Sequence, residues 1–423
     1  MDHQPPFCDH RRRLAQTAVG TNTMKALVIG YGVSGKGAAA FLRSRGWESV
    51  PVDKKGGEGL LPDSSDLALD GFHQVILSPG VPQSHPLVQK AMQLGIEVIG
   101  EMELGFRHLN NRSFGITGSN GKTTTVLLTT HILNSAGKRA RSLGNVGDSL
   151  TGYLLSADPT EILIIELSSF QLETLRTAAL EASLILNITP NHLDRYPSME
   201  EYAKAKAHIQ NMSGEVFISE SVQKEFGSLF RNPKHFDKEI ELLNTLSYTQ
   251  LEMPSKQSVQ AAYLLCKRCG VTDVEFLRGL QTFKKPSHRI EWVAKINDVA
   301  YYNDSKSSNI DAVMHAVDRL EGPLLLIAGG VHKGSSYKPW VERFRGKVRL
   351  MIAYGKAGPI MECELASHIP FLRVDLFADA VKAAKAEARG GETVLLSPGC
   401  SSYDQFENYE RRGECFKRLV REQ

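Results

Sequence analysis

Residues 113–133 constrain the fold of this chain more than any other stretch. An apolar patch at 114–116 runs into Thr117-Gly118-Ser119-Asn120-Gly121-Lys122-Thr123, and an apolar-periodic segment follows at 126–133. A strand, a glycine-rich turn and a helix in that order aim the N–H groups of the loop and first helical turn at one point. The oxygens of an anion fit there. From such a loop a lysine like Lys122 reaches the outer phosphates of a nucleotide, and a Thr hydroxyl meets Mg2+. The spacing departs from G-x-x-x-x-G-K-[ST], because Ile116 and not Gly stands five residues before Gly121. This compact T-G-x-N-G-K-T form points to nucleotide-dependent chemistry outside the ordinary GTPases and kinases. A plain glycine turn before a helix is the alternative reading.

The rest of the chain repeats the strand–helix alternation of an α/β fold. A strand at 26–29 leads into Gly30-Tyr31-Gly32-Val33-Ser34-Gly35 and a helix, and strands at 49–52 and 74–77 end at Asp53 and at Ser78-Pro79-Gly80. G-x-G-x-x-G with an acid at the end of the next strand is a dinucleotide fingerprint. Any anionic nucleotide phosphate suits the same helix N-terminus, so NAD, a UDP-type nucleotide and a vestigial site all stand at this point. From about Glu101 a second part begins. Its strand at 162–165 delivers Glu166, and another at 182–187 runs into Ile188-Thr189-Pro190-Asn191-His192-Leu193-Asp194. Open α/β sheets hold ligands at the carboxyl ends of their strands, and a carboxylate there can hold Mg2+. A helix cap for Glu166 and a turn histidine for His192 are the plainer readings. Residues 213–254 show no regular pattern, 258–280 read as helical, and 284–288 read as a linker. The third part has strands at 299–302, 324–328, 350–353 and 394–396, a helix at 378–388 and an amphipathic tail at 405–419. Three of its strands lead into glycine-bearing polar loops at 329–334, 354–356 and 397–402. The expected domains are 24–100, 101–286 and 287–423.

Bulk properties narrow the function classes. A chain of 423 residues exceeds one core, so about two to four domains are expected. With 42% hydrophobic and 23% charged residues and a net charge of +3 spread along the chain, no nucleic-acid partner is expected. No apolar run is long enough for a membrane span. Six scattered cysteines suggest reduced thiols in a cytosolic compartment. Cys266-Lys-Arg-Cys269 has C-x-x-C spacing but lies inside a helical apolar pattern without a second ligand pair, which argues against redox or zinc use. Residues 1–23 contain Arg11-Arg12-Arg13 but no apolar h-region, so they read as a leader or extension and not as a secretory signal.

Taken together, the motifs resemble the Mur ligases, the ATP-dependent amide ligases of peptidoglycan precursor synthesis. The carrying residues are Thr117 to Thr123, Glu166-Leu-Ser-Ser-Phe-Gln-Leu172, Asn187-x-Thr-x-x-His192-x-Asp194-Arg-Tyr196, His288-Arg289, Asn303-Asp-Ser-Lys306 with Asn309, and Ser397-Pro398 followed by Ser402-x-Asp404-Gln-Phe406. The resemblance covers 24–423, and the E-L-S-S-F-Q-L and N-D-S-K versions favour the D-glutamate-adding members. It implies a Rossmann-like N-terminal domain, a central P-loop ATPase-like domain and a Rossmann-like C-terminal domain, in a cytoplasmic monomer. It also implies the chemistry. The carboxylate of UDP-N-acetylmuramoyl-L-alanine attacks the γ-phosphate of ATP, and the amine of D-glutamate then attacks the acyl phosphate through a tetrahedral intermediate. In such a reaction the protein positions groups and neutralises charge.

The family pattern carries over residue by residue. Gly118, Ser119, Asn120, Gly121, Lys122, Thr123 and Thr124 are implied to hold ATP. Thr123, Glu166, His192 and Lys206, the last as a carbamate, are implied to serve Mg2+, with Lys122, His192 and Lys206 as the catalytic set. Lys206 is assigned over Lys204 by its spacing from Tyr202; without the family, 203–207 reads as a solvated helix face. Arg289, Asp304 and Lys306 are implied to reach ATP from the third domain, Asp304 toward the ribose hydroxyls and Lys306 toward the phosphates. Ser308, Lys333, Ser402 and Tyr409 match the D-glutamate pocket. Val33, Ser34, Asp53, Lys55, Ser78, Pro79 and Gly80 match the UDP site, and Asn145 and His192 the muramoyl-alanine portion. Departures from the pattern are Tyr409 for Phe, Ser308 for Thr, Gln257 and Gln260 for Asn near the adenine, and Lys55 for Arg, which removes a bidentate phosphate contact. The alternatives are another Mur-type or folylpolyglutamate-type ligase, or a nucleotide-binding regulator without catalysis. A diamino-acid-adding ligase carries an Asn-Pro-Arg motif that this chain lacks, and the joint presence of Lys122, Thr123, Glu166, His192 and Lys206 argues against the regulator.

Overall fold

The computed structural model describes residues 23–54, 56–244, 246 and 253–422. Residues 1–22 of the expected leader, and Lys55, lie outside them. Three sheets divide between two units, one made of residues up to Gly105 together with Leu150–Ser156, the other of Phe106–Ser149 and the chain from Ala157 on. Among the described residues no helix is long and apolar enough to cross a membrane.

The first unit holds β1 (Lys25–Ile29), β2 (Glu48–Asp53), β3 (Leu61–Pro62), β4 (Gln74–Leu77) and β5 (Glu97–Gly100), in the order β3-β2-β1-β4-β5. All neighbours are parallel. Leu27, Val28, Val75 and Ile76 are 0% exposed. Burial on both faces explains why these strands read as continuous apolar runs without alternation. The short helix Leu150–Tyr153 joins this unit from a later stretch of chain. Glu101 accepts there from the Thr151 backbone N–H at 2.8 Å and its hydroxyl at 2.7 Å. Gly105 leaves room for Leu150, whose Cγ would lie 2.6 Å from a Cβ at that position.

In the second unit, β6 (Ser113–Thr117), β7 (Ala140–Gly144), β8 (Ile162–Glu166), β9 (Leu180–Ile185), β10 (Ser213–Ile218) and β11 (Lys234–His235) form a parallel sheet ordered β11-β10-β9-β6-β8-β7. The helix Lys122–Ser135 packs its buried Val126, Leu128, Ile132 and Leu133 into one core with Val259, Leu265, Phe276 and Leu280. The helical reading of 258–280 needs correction: there are two helices, Lys256–Arg268 and Asp273–Thr282. Gly270, at φ 75, ends the first, and Thr272 and Glu275 form a capping box that starts the second. Cys266 and Cys269 are buried in this core, where burial pushes both thiols up. The patternless 213–254 stretch contains β10 and the helix Glu220–Phe226.

The same unit carries a third sheet: β12 (Glu291–Ile296), β13 (Val299–Asn303), β14 (Leu324–Gly329), β15 (Val348–Tyr354), β16 (Phe371–Val374) and β17 (Thr393–Leu396). Its order is β12-β13-β17-β14-β15-β16, with only β12 antiparallel to its neighbour. The β12–β13 hairpin turns at Asn297 and Asp298, with φ 50 and 63, the left-handed pair that a tight hairpin demands. The tail becomes the helix Tyr409–Arg421, capped by Asn408, and 405–408 stay outside it. The α/β expectation holds in all three sheets.

Candidate active site

In the first unit the strand ends gather the residues matched to UDP. Gly30, at φ 85, follows β1, and a Cβ on Gly35 would lie 1.9 Å from the Gly30 carbonyl oxygen, so the helix starting at Val33 is pressed onto the strand end. The Tyr31 N–H donates to Asp53 Oδ2 at 2.7 Å, and the Ser78 hydroxyl to the Gly30 carbonyl at 2.7 Å. Val33, 70% exposed, and Ser34 open the helix, and Pro79 and Gly80 follow Ser78 on the same rim. The structure places Asn145 and His192 in the second unit.

The phosphate loop follows β6, whose five residues are all buried. Gly118 and Gly121 take φ 149 and 82, conformations that favour glycine. Neighbouring loops hold it in place: the Ser119 N–H donates to the Asn187 carbonyl at 2.8 Å, its hydroxyl to the Thr189 carbonyl at 2.9 Å, and the Asn120 N–H to Asn187 Oδ1 at 2.8 Å. Lys122 Nζ folds over the loop, donating to the carbonyls of Gly118 at 2.6 Å and Ser119 at 3.0 Å. Thr123 and Thr124 lie half-buried in the first helical turn. Gln257 Oε1 accepts from Asn187 at 2.8 Å, whereas Gln260 donates to the carbonyls of Asp237 and Lys238.

Cations crowd this loop. Lys206 is 1% exposed and donates to the Gly118 carbonyl at 3.0 Å, so the solvated-face reading fails for it. That reading describes Lys204, which pairs with Glu200 at 2.9 Å and Glu201 at 3.0 Å. Burial, and then the charge of Lys122, hold Lys206 well below the usual lysine range against the pull of Glu166. Burial likewise lowers Lys122. His192 stands at φ 58, with the Phe170 ring edge-on at 4.8 Å. Arg195 lies 3.9 Å over that ring and bonds Glu173 at 2.7 Å. Burial, reinforced by Lys333, Lys206, Lys122 and Arg195, holds the His192 imidazole at about 3 and therefore neutral at pH 7. Glu166 ends β8, 1% exposed. Its Oε1 accepts from Asn145 Nδ2 at 2.9 Å, and its buried Oε2 has no hydrogen-bond partner. Such an orphaned carboxylate oxygen facing a phosphate loop fits a divalent cation. Among the described residues no three His, Cys, Asp or Glu side chains group as a metal-holding cluster; the set matched to Mg2+ contains two of these types, Glu166 and His192.

Loops of the third sheet complete the site. After β13, Asp304 accepts from the Ile290 N–H at 3.1 Å, from Ser397 at 2.8 Å and from Ser307. Both its oxygens are thus engaged within the protein, and burial raises it to about 6. Arg289 sits between His288 and Ile290, both at positive φ. Lys306 Nζ lies 3.8 Å over the Tyr409 ring, and burial with the charge of Arg289 lowers it to about 8. Lys333 donates to Ser308 at 3.2 Å and is lowered, mainly by burial, to about 8. The Lys333 loop packs against the turn after His192: a Cβ on Gly334 would lie 3.0 Å from the Asp194 nitrogen. Ser402 is 3% exposed in the loop after β17. That loop is anchored by Arg412, which is 0% exposed and donates to the carbonyls of Ser305 at 2.8 Å and Cys400 at 3.3 Å. The sequence reading missed Phe170, Asn187 and Arg412 as contributors. Phe170 and Asn187 lie inside quoted motifs, whereas Arg412 is one of many arginines on a charged helix and gave no signal.

A phosphate loop flanked by buried lysines and one partly unpaired carboxylate, with a third sheet supplying further cations, is suited to a polyphosphate nucleotide with a divalent cation. Residues 116–235 match the Mur ligase middle domain. The fold is that of UDP-N-acetylmuramate-alanine ligase from Thermotoga maritima, with TM-score 0.61 at 16% identity over 94% of this chain and 99% of that one. The MurF ligase of the same organism, solved in complex with ADP, gives TM-score 0.58 at 16% identity over 94% and 95%. The chain belongs to the Mur ligase family. Within it, the UDP-N-acetylmuramoylalanine--D-glutamate ligase of Protochlamydia amoebophila (strain UWE25) is 42% identical over 436 residues, covering 94% of this chain and 98% of that protein. The ligase of the same name from Chlamydia abortus (strain DSM 27085 / S26/3) is 34% identical over 422 residues, covering 95% and 98%.

Proposed function

We propose that the protein is an ATP-dependent amide ligase that adds D-glutamate to UDP-N-acetylmuramoyl-L-alanine in peptidoglycan precursor synthesis, working as a monomer in the cytoplasm. The observation that carries this reading is the charge balance at the phosphate loop. Lys206, Lys306 and Lys333 each feel the charge of Lys122, three of the four (Lys122, Lys206 and Lys333) act on His192, and Glu166 answers Lys122, Lys206 and Lys306. An excess of buried positive charge is costly unless a polyanion arrives, and ATP with a carboxylate substrate is such a partner. The L-alanyl carboxylate oxygen bonds to the γ-phosphorus as ADP leaves. The D-glutamate nitrogen then bonds to the acyl carbon, and the tetrahedral adduct collapses with loss of phosphate.

In this reading residues 24–100 take the UDP precursor, 101–286 ATP and 287–423 the amino acid. Lys122 exchanges its loop carbonyls for the β- and γ-phosphates, and the loop N–H groups hold the same oxygens. Glu166 Oε2, with the Thr123 hydroxyl and His192, would hold Mg2+, which supplies charge neutralisation at the phosphates. A lysine whose pKa is lowered by burial gives up its proton more readily and so offers a nucleophilic amine. Lys206 is therefore suited to add CO2 at Nζ, losing a proton and becoming a carbamate that offers an anionic oxygen beside Glu166. Ser308, Lys333, Ser402 and Tyr409 receive D-glutamate, Lys333 through its side-chain carboxylate. The test is phosphate release across a panel of amino acids and UDP precursors, with and without Mg2+. Release is expected only with ATP, UDP-N-acetylmuramoyl-L-alanine and D-glutamate together. Equal turnover with L-glutamate, preference for another precursor, or no turnover at all would overturn the assignment.

A further inference from the structure

The loop after β13 carries Asp304, Lys306 and Ser308, and the residue that follows them, Asn309, has no role in the reading above. It is 6% exposed and uses both ends of its amide. Oδ1 accepts from the Ala312 N–H at 2.9 Å and caps the helix Ile310–Arg319. Nδ2 donates to Asn120 Oδ1, in the phosphate loop, at 2.8 Å. Asn120 is itself held on its other side: its carbonyl accepts from Asn187 Nδ2 at 3.2 Å, and its own Nδ2 donates to Thr189 at 3.3 Å. A helix cap needs only the side-chain oxygen, which Ser or Asp supplies as well. The nitrogen is what Asn adds, and here it is spent on the phosphate loop.

We propose that Asn309 is a positioning residue that couples the phosphate loop to the amino-acid pocket. Through Asn120 it ties loop 304–308, and with it the Ser308 hydroxyl that Lys333 contacts at 3.2 Å, to the shape the phosphate loop adopts around nucleotide. The coupling rests on the ATP and D-glutamate roles proposed above and extends them. It is reciprocal in binding, and one neutral hydrogen bond supports a coupling of about three- to tenfold.

Asn309→Ser keeps the cap oxygen and removes the bridge, and Asn120→Ala removes the bridge from the other side. Steady-state kinetics with D-glutamate varied at saturating ATP and UDP precursor are compared for the parent, both single variants and the double variant, with thermal midpoints alongside. Each single variant is expected to raise KM for D-glutamate about three- to tenfold, and the double variant no further than the worse single one. The midpoint of Asn309→Ser is expected to stay within about 2 °C of the parent. Additive effects, an unchanged KM with a lowered kcat, or a midpoint fall beyond about 5 °C, the mark of a cap alone, overturn the coupling. A parent that releases no phosphate from this substrate set refutes the proposed function and the coupling with it, whereas an active parent with additive variants refutes the coupling alone.

Discussion

Lys333→Met separates what the amino-acid pocket does for catalysis from what it costs the empty protein. Burial, partly offset by Cys400 and Asp194, lowers the Lys333 ammonium from 10.5 to about 8. That gap corresponds to about 3 kcal/mol. The side chain is half-buried, and screening by water reduces the figure to about 1–2 kcal/mol. Below pH 8 the lysine is charged in folded and unfolded chains alike, so the folded state bears the whole penalty. Between pH 8 and 10.5 the unfolded chain keeps a proton that the folded chain has lost, so stability climbs with pH, and above 10.5 the penalty is gone. Methionine has a similar length and no such penalty. The variant is therefore expected to exceed the parent by about 1–2 kcal/mol at pH 7, an advantage that disappears as pH approaches 10.5. Activity moves the other way. Loss of a charge-assisted bond to the D-glutamate carboxylate, worth about 1.5–3 kcal/mol, lowers kcat/KM for D-glutamate about 10- to 150-fold, with KM for ATP within about twofold of the parent. Calorimetry at pH 7 and 10 and phosphate release at varied D-glutamate read both effects. A variant less stable than the parent at pH 7, or one whose loss falls equally on ATP, would refute the reasoning.

Two other variants probe separate parts of the site. Lys206→Ala is expected to lose turnover by about 100-fold or more. Added formate or acetate should partly restore it and bicarbonate should not; a fully active variant ends the carbamate idea. Gly413→Ala, in the last helix, places a Cβ 2.2 Å from His288 Nδ1 and 3.0 Å from Asn303 Nδ2. Overpacking of about 1–3 kcal/mol outweighs the gain of up to about 1 kcal/mol in helix propensity, so the urea midpoint should fall, and a rise would contradict the packing described.

Much of this was legible in sequence because motif and strand end coincide. Glu166, His192 and the phosphate loop each follow an apolar run, so their placement at carboxyl ends followed from periodicity alone. The strand at 74–77 falls where its apolar run does. Where the pattern failed, competing physics is visible. β10 was hidden because its first residues, Ser213-Gly214-Glu215, are polar ahead of a short apolar run, and it pairs beside the two-residue edge strand β11. The two helices at 256–282 bury apolar residues in one core, and the Gly270–Thr272 break was overlooked although glycine followed by a Thr-x-x-Glu box marks such a stop and start. Burial of Lys206 beside exposed Lys204 depends on which helix face meets the phosphate loop, a tertiary fact that an alternating Ala-Lys run does not encode. The engagement of both Asp304 oxygens by Ser307, Ser397 and Ile290 likewise depends on loops far apart in sequence.

The return of residues 150–156 to the first unit has a consequence for how this protein is made and cut. A fragment ending at residue 105 would lack Thr151, leave the buried Glu101 carboxylate without those two donors, and strip Leu150 from the surface at Gly105. On the ribosome, the first sheet is complete at Gly100, yet its unit stays unfinished until Ser156 has been synthesised and has emerged. By then the phosphate-loop strand β6 and the helix Lys122–Ser135 already exist as nascent chain. Independent expression of the N-terminal portion therefore calls for a grafted segment, with residue 105 joined to residue 150 through a short linker, and not for a simple truncation.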